Sequence, residues 1–132
     1  MTKHATGTFD VKLTPQKADS QKAASANLGR MSIDKQFSGD LEGASQGEML
    51  AAMSAVEGSA GYVAMERVTG TLQGQRGTFV LQHTGTMTRG MAQLRVTVVP
   101  DSGTDGLLGI SGALTITVEG NKHLYEFEYT LP

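Results

Sequence analysis

Glu66 and His83 stand near the two ends of "ERVTGTLQGQRGTFVLQHTG", residues 66–85, which reads as two alternating runs around a Gly-rich middle. A carboxylate beside an imidazole can hold a proton or move one, the usual material of general acid–base chemistry. Whether the two meet depends on the turn between them. Gly74-Gln75 is a two-residue loop with glycine first, the mark of a type II′ hairpin. A turn there opposes Leu72 to Gly77, Gly70 to Phe79, Val68 to Leu81 and Glu66 to His83. Side chains alternate along a strand, so all of these share one face. The other face holds Arg67, Thr69, Thr71, Thr78, Val80, Gln82 and Thr84, and is mostly polar. The acid and the imidazole therefore meet on the apolar side.

The same reasoning places Lys35, Tyr62, Tyr125 and Tyr129 on apolar faces. A buried charge without a partner is costly, and Lys35 is a candidate to offset Glu66, although the strands between them leave the two unplaced relative to each other. A carboxylate, an imidazole and an ammonium in one apolar space perturb each other's protonation and form a candidate active site. Glu66 or His83 would move a proton, and Lys35 or a tyrosine would stabilise developing charge. Tyr62, Tyr125, Tyr129 and Phe79 are the candidate ligand-binding side chains. The competing reading is a structural Glu66–His83 pair with Lys35 reaching for the rim, and tyrosines that are core aromatics with bonded hydroxyls. His123 reads as a rim residue and His4 as an exposed terminus.

Other chemistries find little support. The three histidines have no metal-ligand spacing, and Glu66 with His83 would supply only two ligands, so no metal or other cofactor is expected. Gly70, Gly74 and Gly77 do not follow the dinucleotide spacing and do not precede a helix. No serine lies in a nucleophile elbow, so a covalent nucleophile is not expected.

These residues need a sheet to hold them. Gly120-Asn121 is a strong two-residue turn. It opposes Glu119 to Lys122, Val118 to His123, Ile116 to Tyr125, Leu114 to Phe127 and Gly112 to Tyr129. A turn at Arg89-Gly90 opposes Met87 to Ala92, Gly85 to Leu94 and His83 to Val96, and Pro100 ends that strand. "GTFDVKL" alternates Phe9, Val11 and Leu13 against Thr8, Asp10 and Lys12, and "GRMSIDKQF" alternates Met31, Ile33, Lys35 and Phe37. "TPQKADSQKAASAN" is a polar loop with room for a short helical turn. "GEMLAAMSAVEG" is helical by propensity, but it is short, Gly-bounded and flanked by strands, and it is read as a strand.

About eight antiparallel strands with short connections hide their edges best by closing into a barrel, whose interior side chains can fill or one small ligand can occupy. A sandwich is the alternative. At 132 residues the chain is read as a single domain, residues 1–132, able to bury a core without staples. There are no cysteines, which fits a reducing compartment, and "MTKHATGTFD" has no apolar run like a secretory signal. A cytoplasmic protein is expected. No stretch approaches the roughly 20 apolar residues of a membrane span. Net charge is −2 with mixed signs, which gives no electrostatic footprint for nucleic acid.

Three runs, "KQFSGDLEG", "GSAGYVAMERVTGTLQGQRGTFVLQHTG" and "VVPDSGTDGLLGISG", resemble a bacterial domain family of unknown function that is similar to the allene oxide cyclase-like β-barrels. The resemblance runs from about Leu28 to the end. It implies an eight-stranded closed antiparallel barrel with a central cavity, and a homo-oligomer. It carries no known activity, and no catalytic residue of the plant cyclases maps onto this chain. The expectation is a small barrel that binds a hydrophobic small molecule in its interior, with isomerisation or cyclisation as the chemistry if it is an enzyme. The alternative is a non-catalytic interaction or assembly protein with a packed barrel core.

Overall fold

The computed structural model describes residues 1–132. Eight strands run in chain order around a closed antiparallel barrel. They are β1 (Lys3–Gln16), β2 (Gly29–Gly39), β3 (Leu41–Met53), β4 (Ala60–Leu72), β5 (Gln75–Thr88), β6 (Met91–Val98), β7 (Ser111–Glu119) and β8 (Lys122–Thr130). β8 closes on β1, from Lys3 opposite Tyr129 to Phe9 opposite His123. One short helix, α1 (Gln21–Ser25), lies in the β1–β2 connection, and the hydroxyl of its N-cap Ser20 accepts a hydrogen bond from the N–H of Ala23. No helix is long and apolar enough to cross a membrane.

"GEMLAAM" is strand, the end of β3, and the chain leaves the sheet only after Met53. Propensity yields here because Leu50 and Ala52 must alternate with Met49 and Ala51 across a ladder already fixed by β2 and β4. The turns at Arg89-Gly90 and Gly120-Asn121 have the expected registers. The β4–β5 turn does not. Its two central residues are Gln73 and Gly74, both at positive φ, so the loop is of the I′ kind and Leu72 faces Gln75. The whole pairing shifts by two residues, which keeps each side chain on its expected face but changes its partner: Glu66 faces Leu81, and His83 faces Ala64. The cause lies in the Gln73 side chain. Its amide donates to the carbonyl of His4 (3.1 Å), and its carbonyl accepts from the Tyr129 hydroxyl. Those bonds tie the turn to the base of the barrel and outweigh glutamine's reluctance to take φ of 45°.

The barrel is solid at one end and hollow at the other. At the closed end Phe79 stacks on Phe127 (ring centroids 5.7 Å apart) and Phe127 on Tyr129 (5.2 Å). The β6–β7 connection folds beneath them. Its single 3₁₀ turn, Asp105–Leu107, delivers Leu107 into the core with no exposed surface. This connection also completes the sheet. Thr104 N–H donates to the Thr78 carbonyl (2.9 Å), and Val80 N–H donates to Ser102 Oγ (3.0 Å), so β5 is satisfied where β6 has ended. β6 and β7 themselves pair only at Val96–Leu114 and Thr97–Ala113.

Candidate functional site

Four successive strands each send one polar side chain into the interior: Lys35 from β2, Ser45 from β3, Glu66 from β4 and His83 from β5. All four are buried, with Glu66 only 1% exposed. Lys35 faces Ser45 directly. From there the path steps two residues along the strand at each crossing, since Ser45 faces Val68 and Glu66 faces Leu81. Strand tilt in a barrel staggers the register in this way, so side chains level with one another around the barrel sit on diagonals of the flat ladder. Gly47 opposes Glu66 and makes the room: a Cβ there would fall 2.7 Å from the Glu66 Cα.

The Glu66 carboxylate is the hub. Lys35 Nζ donates to Oε2 at 2.8 Å, His83 Nε2 lies 2.5 Å from the same oxygen, and Ser45 Oγ donates to Oε1 at 2.7 Å. Burial alone pushes the Glu66 carboxyl up. The His83 hydrogen bond and the Lys35 charge more than reverse that and hold it at about 2, so it is ionised. An ionised acceptor requires that Nε2 carry the hydrogen. In the neutral imidazole the lone pair is then on Nδ1. Nδ1 has no partner in the protein, and no side-chain nitrogen or oxygen sealed from solvent lacks a partner. It therefore opens on the interior space. Lys35 Nζ also lies 4.6 Å from the centre of the Phe9 ring, a cation–π contact that helps keep an ammonium in an apolar setting.

Above this cluster lies a cavity of about 570 Å³, a usual size for a small-molecule site. Lys35 and His83 form part of its lining, and Glu66 lies beneath them, out of reach. The walls are mostly apolar, with Phe9, Ile33, Met49, Ala64, Leu94 and Ile116 among them. Tyr62 is the one tyrosine that lines it, with its ring packed over Gly85 directly opposite. Burial, then the Glu66 charge, raises the Tyr62 hydroxyl above its ordinary value, so it stays protonated and can donate.

Glu66 and His83 thus meet as the sequence indicates, but along a diagonal instead of face to face, and Lys35, whose place the sequence left open, joins them. Tyr125, Tyr129 and Phe79, expected as ligand contacts, belong to the filled end and do not line the cavity. Tyr125 is held there by its hydroxyl, which accepts from the Leu41 N–H (2.9 Å) and can donate to the Ser38 carbonyl (3.0 Å). His123 lines the mouth and packs against Phe9, and His4 lies on the surface beside Glu126 and Glu128. Ser45 escaped the sequence reading. Its signal is the inward set Leu41, Gly43, Ser45, Gly47 and Met49, in which it is the only hydroxyl between two glycines.

Eight strands, one filled end and a polar cluster beneath an apolar cavity define a small closed β-barrel with a single interior chamber. The chain belongs to the family described as Protein of unknown function (DUF3224), which it matches over residues 5–129. It is similar to a crystal structure of a DUF3224 protein of unknown function from Shewanella oneidensis MR-1. The two are 52% identical, with a TM-score of 0.91, over 100% of this chain and 98% of that one. No curated protein matches the sequence.

Proposed function

We propose that the chamber binds a hydrophobic small molecule with one carbonyl-type polar group, and that His83 moves a proton on it. One observation carries this reading: His83 is anchored through Nε2 to an ionised Glu66 and leaves Nδ1 open to an apolar cavity beside the Lys35 ammonium. Nδ1 would take a proton from the carbon next to the carbonyl. Lys35 would stabilise the enolate oxygen, and the imidazolium would return the proton to a different carbon. The step is an isomerisation, or opens a cyclisation, without oxidation and without a covalent intermediate. Glu66 touches no ligand and acts as a positioning residue. The hollow half speaks against a barrel packed throughout, and the lack of cysteine fits a reducing compartment such as the cytoplasm.

The test begins with native mass spectrometry of freshly purified protein and titration with a fluorescent apolar probe. Stoichiometric occupancy that is lost when Ala51→Phe fills the cavity supports the binding half of the reading; an empty protein that takes no probe overturns it. An extracted ligand is then incubated with the protein in deuterated water. Exchange at carbon that His83→Ala abolishes and Glu66→Gln slows supports proton transfer. Equal exchange in all three proteins rejects it.

Self-association has its own supporting observation. Leu50 and Val63 face each other on the outer wall of β3 and β4 with Met65 nearby, each about half exposed. A second copy covering this wall would be lost in Val63→Glu, as read by sedimentation velocity.

A further inference from the structure

The two ends of the barrel differ in charge. At the mouth, the connections and strand ends carry exposed Lys12, Lys17, Lys22, Arg89 and Lys122. The acids near them are Asp19 and Glu48, both paired with Arg30 at 2.8 and 2.7 Å, Asp34 opposite Lys12, Glu119 opposite Lys122, and Glu57, which leaves Lys17, Lys22 and Arg89 as the cations without an opposed acid. The closed end carries Asp40, Asp101, Asp105, Glu126 and Glu128, against Lys3 and Arg76. Several of the exposed large apolar side chains also project at the mouth. Met53 is 80% exposed and Met91 77%, with Val56 and Leu13 close to half exposed. These ring the opening of the chamber, since Leu13 and Met53 are part of its lining.

We propose that the mouth end docks on an anionic lipid surface. The methionine and leucine side chains would enter the headgroup boundary while Lys17, Lys22 and Arg89 face the phosphates. Apolar insertion and several nearby cations together are what a reversible surface anchor needs, and neither suffices alone. Methionine suits the role because its unbranched chain adapts to a fluid partner. A second copy fits this end poorly. A two-fold, mouth-to-mouth contact would bring the unopposed Lys17, Lys22 and Arg89 of both copies into one interface, a like-charge arrangement. The acidic far end fixes the orientation, because it is repelled by the surface that attracts the mouth. Docked this way, the chamber opens onto lipid, and an apolar guest passes in without crossing water. The proposal stands whether or not His83 performs chemistry.

The experiment is co-sedimentation of the full chain with vesicles of phosphatidylcholine alone and of phosphatidylcholine with phosphatidylglycerol, at low and high salt. Wild type is expected to pellet with the phosphatidylglycerol vesicles at low salt and to be released by high salt. Met53→Glu with Met91→Glu should bind at least about tenfold more weakly. Lys17→Glu with Lys22→Glu should lose most binding, and Arg76→Glu at the closed end should lose none. Thermal melting checks that each variant is folded, and two independent pairs at the rim keep the result readable if one fails. Absence of wild-type binding at low salt overturns the proposal, as does binding that both rim pairs leave unchanged. A wild type that ignores vesicles but is an oligomer, converted to monomer by the methionine pair, assigns the rim to a second copy and likewise overturns it.

Discussion

His83 Nε2 lies 2.5 Å from Glu66 Oε2 although the two residues are not paired across their strands; Ala64 faces His83, and Leu81 faces Glu66. The contact is made along the stagger of the barrel. It fixes the imidazole tautomer from below and leaves the cavity side of the ring free.

That contact couples stability to acid. The Glu66 carboxyl is held at about 2 in the folded chain, against an ordinary value of 4.5. The depressed value means the native state favours the ionised form. Its stabilising contribution is present in full above pH 4.5 and is lost as pH falls from there through about 2. The contribution is on the order of 3 kcal/mol. Urea melts from pH 7 to pH 2 should show an acid-side fall in wild type that Glu66→Gln flattens. A fall of equal size in the variant would assign acid sensitivity to other carboxyls.

Glu66→Gln should also be costly at neutral pH, because it strands the buried Lys35 ammonium, a loss of about 3–5 kcal/mol. Lys35→Met in the Glu66→Gln background removes the stranded charge and should recover part of that loss. A double variant less stable than the single would sink this account of the pair.

Tyr62 needs Gly85. A Cβ at Gly85 would overlap the Tyr62 ring. Gly85→Ala is expected to destabilise by about 1–3 kcal/mol and to shift the ring. In a Tyr62→Ala background the same change should cost little, because the pair is coupled. Additive losses in thermal melts would show that the glycine serves some other purpose.

Gln73 ties the β4–β5 turn to the base of the barrel through His4 and Tyr129. Gln73→Ala should lose on the order of 1 kcal/mol, because both hydrogen bonds go but water can reach the exposed His4 carbonyl. Gln73→Asn, a better type I′ residue but too short for both bonds, should not restore wild-type stability. Denaturant unfolding of the two variants distinguishes turn preference from side-chain anchoring.

Much of the barrel could be read from alternation and turns. Gly120-Asn121 and Arg89-Gly90 set their registers through local backbone preference, which the sequence displays directly. Gln73 could not be read in this way, because its left-handed turn depends on Tyr129, a residue far along the chain. A shift of two left the faces intact, and so the polar cluster survived the misplaced turn. Which tyrosines would meet the cavity was not legible. Tyr62, Tyr125 and Tyr129 each sit on an inward face opposite a glycine, and what separates them is height along the barrel, fixed by where the β6–β7 connection plugs one end.

The short β6–β7 ladder has a kinetic consequence. Every other neighbouring pair of strands shares at least seven paired positions, and this one shares two. Above those two, Gln93 and Leu94 on one side and Ile116 on the other border the chamber with no rungs between them. Parting the wall there breaks few bonds, and such strand separations belong to the microsecond-to-millisecond range. For the guest proposed above, dwell time would then follow its girth relative to this slit: two guests of equal affinity and unequal width would leave at different rates, and the barrel would sort them by departure.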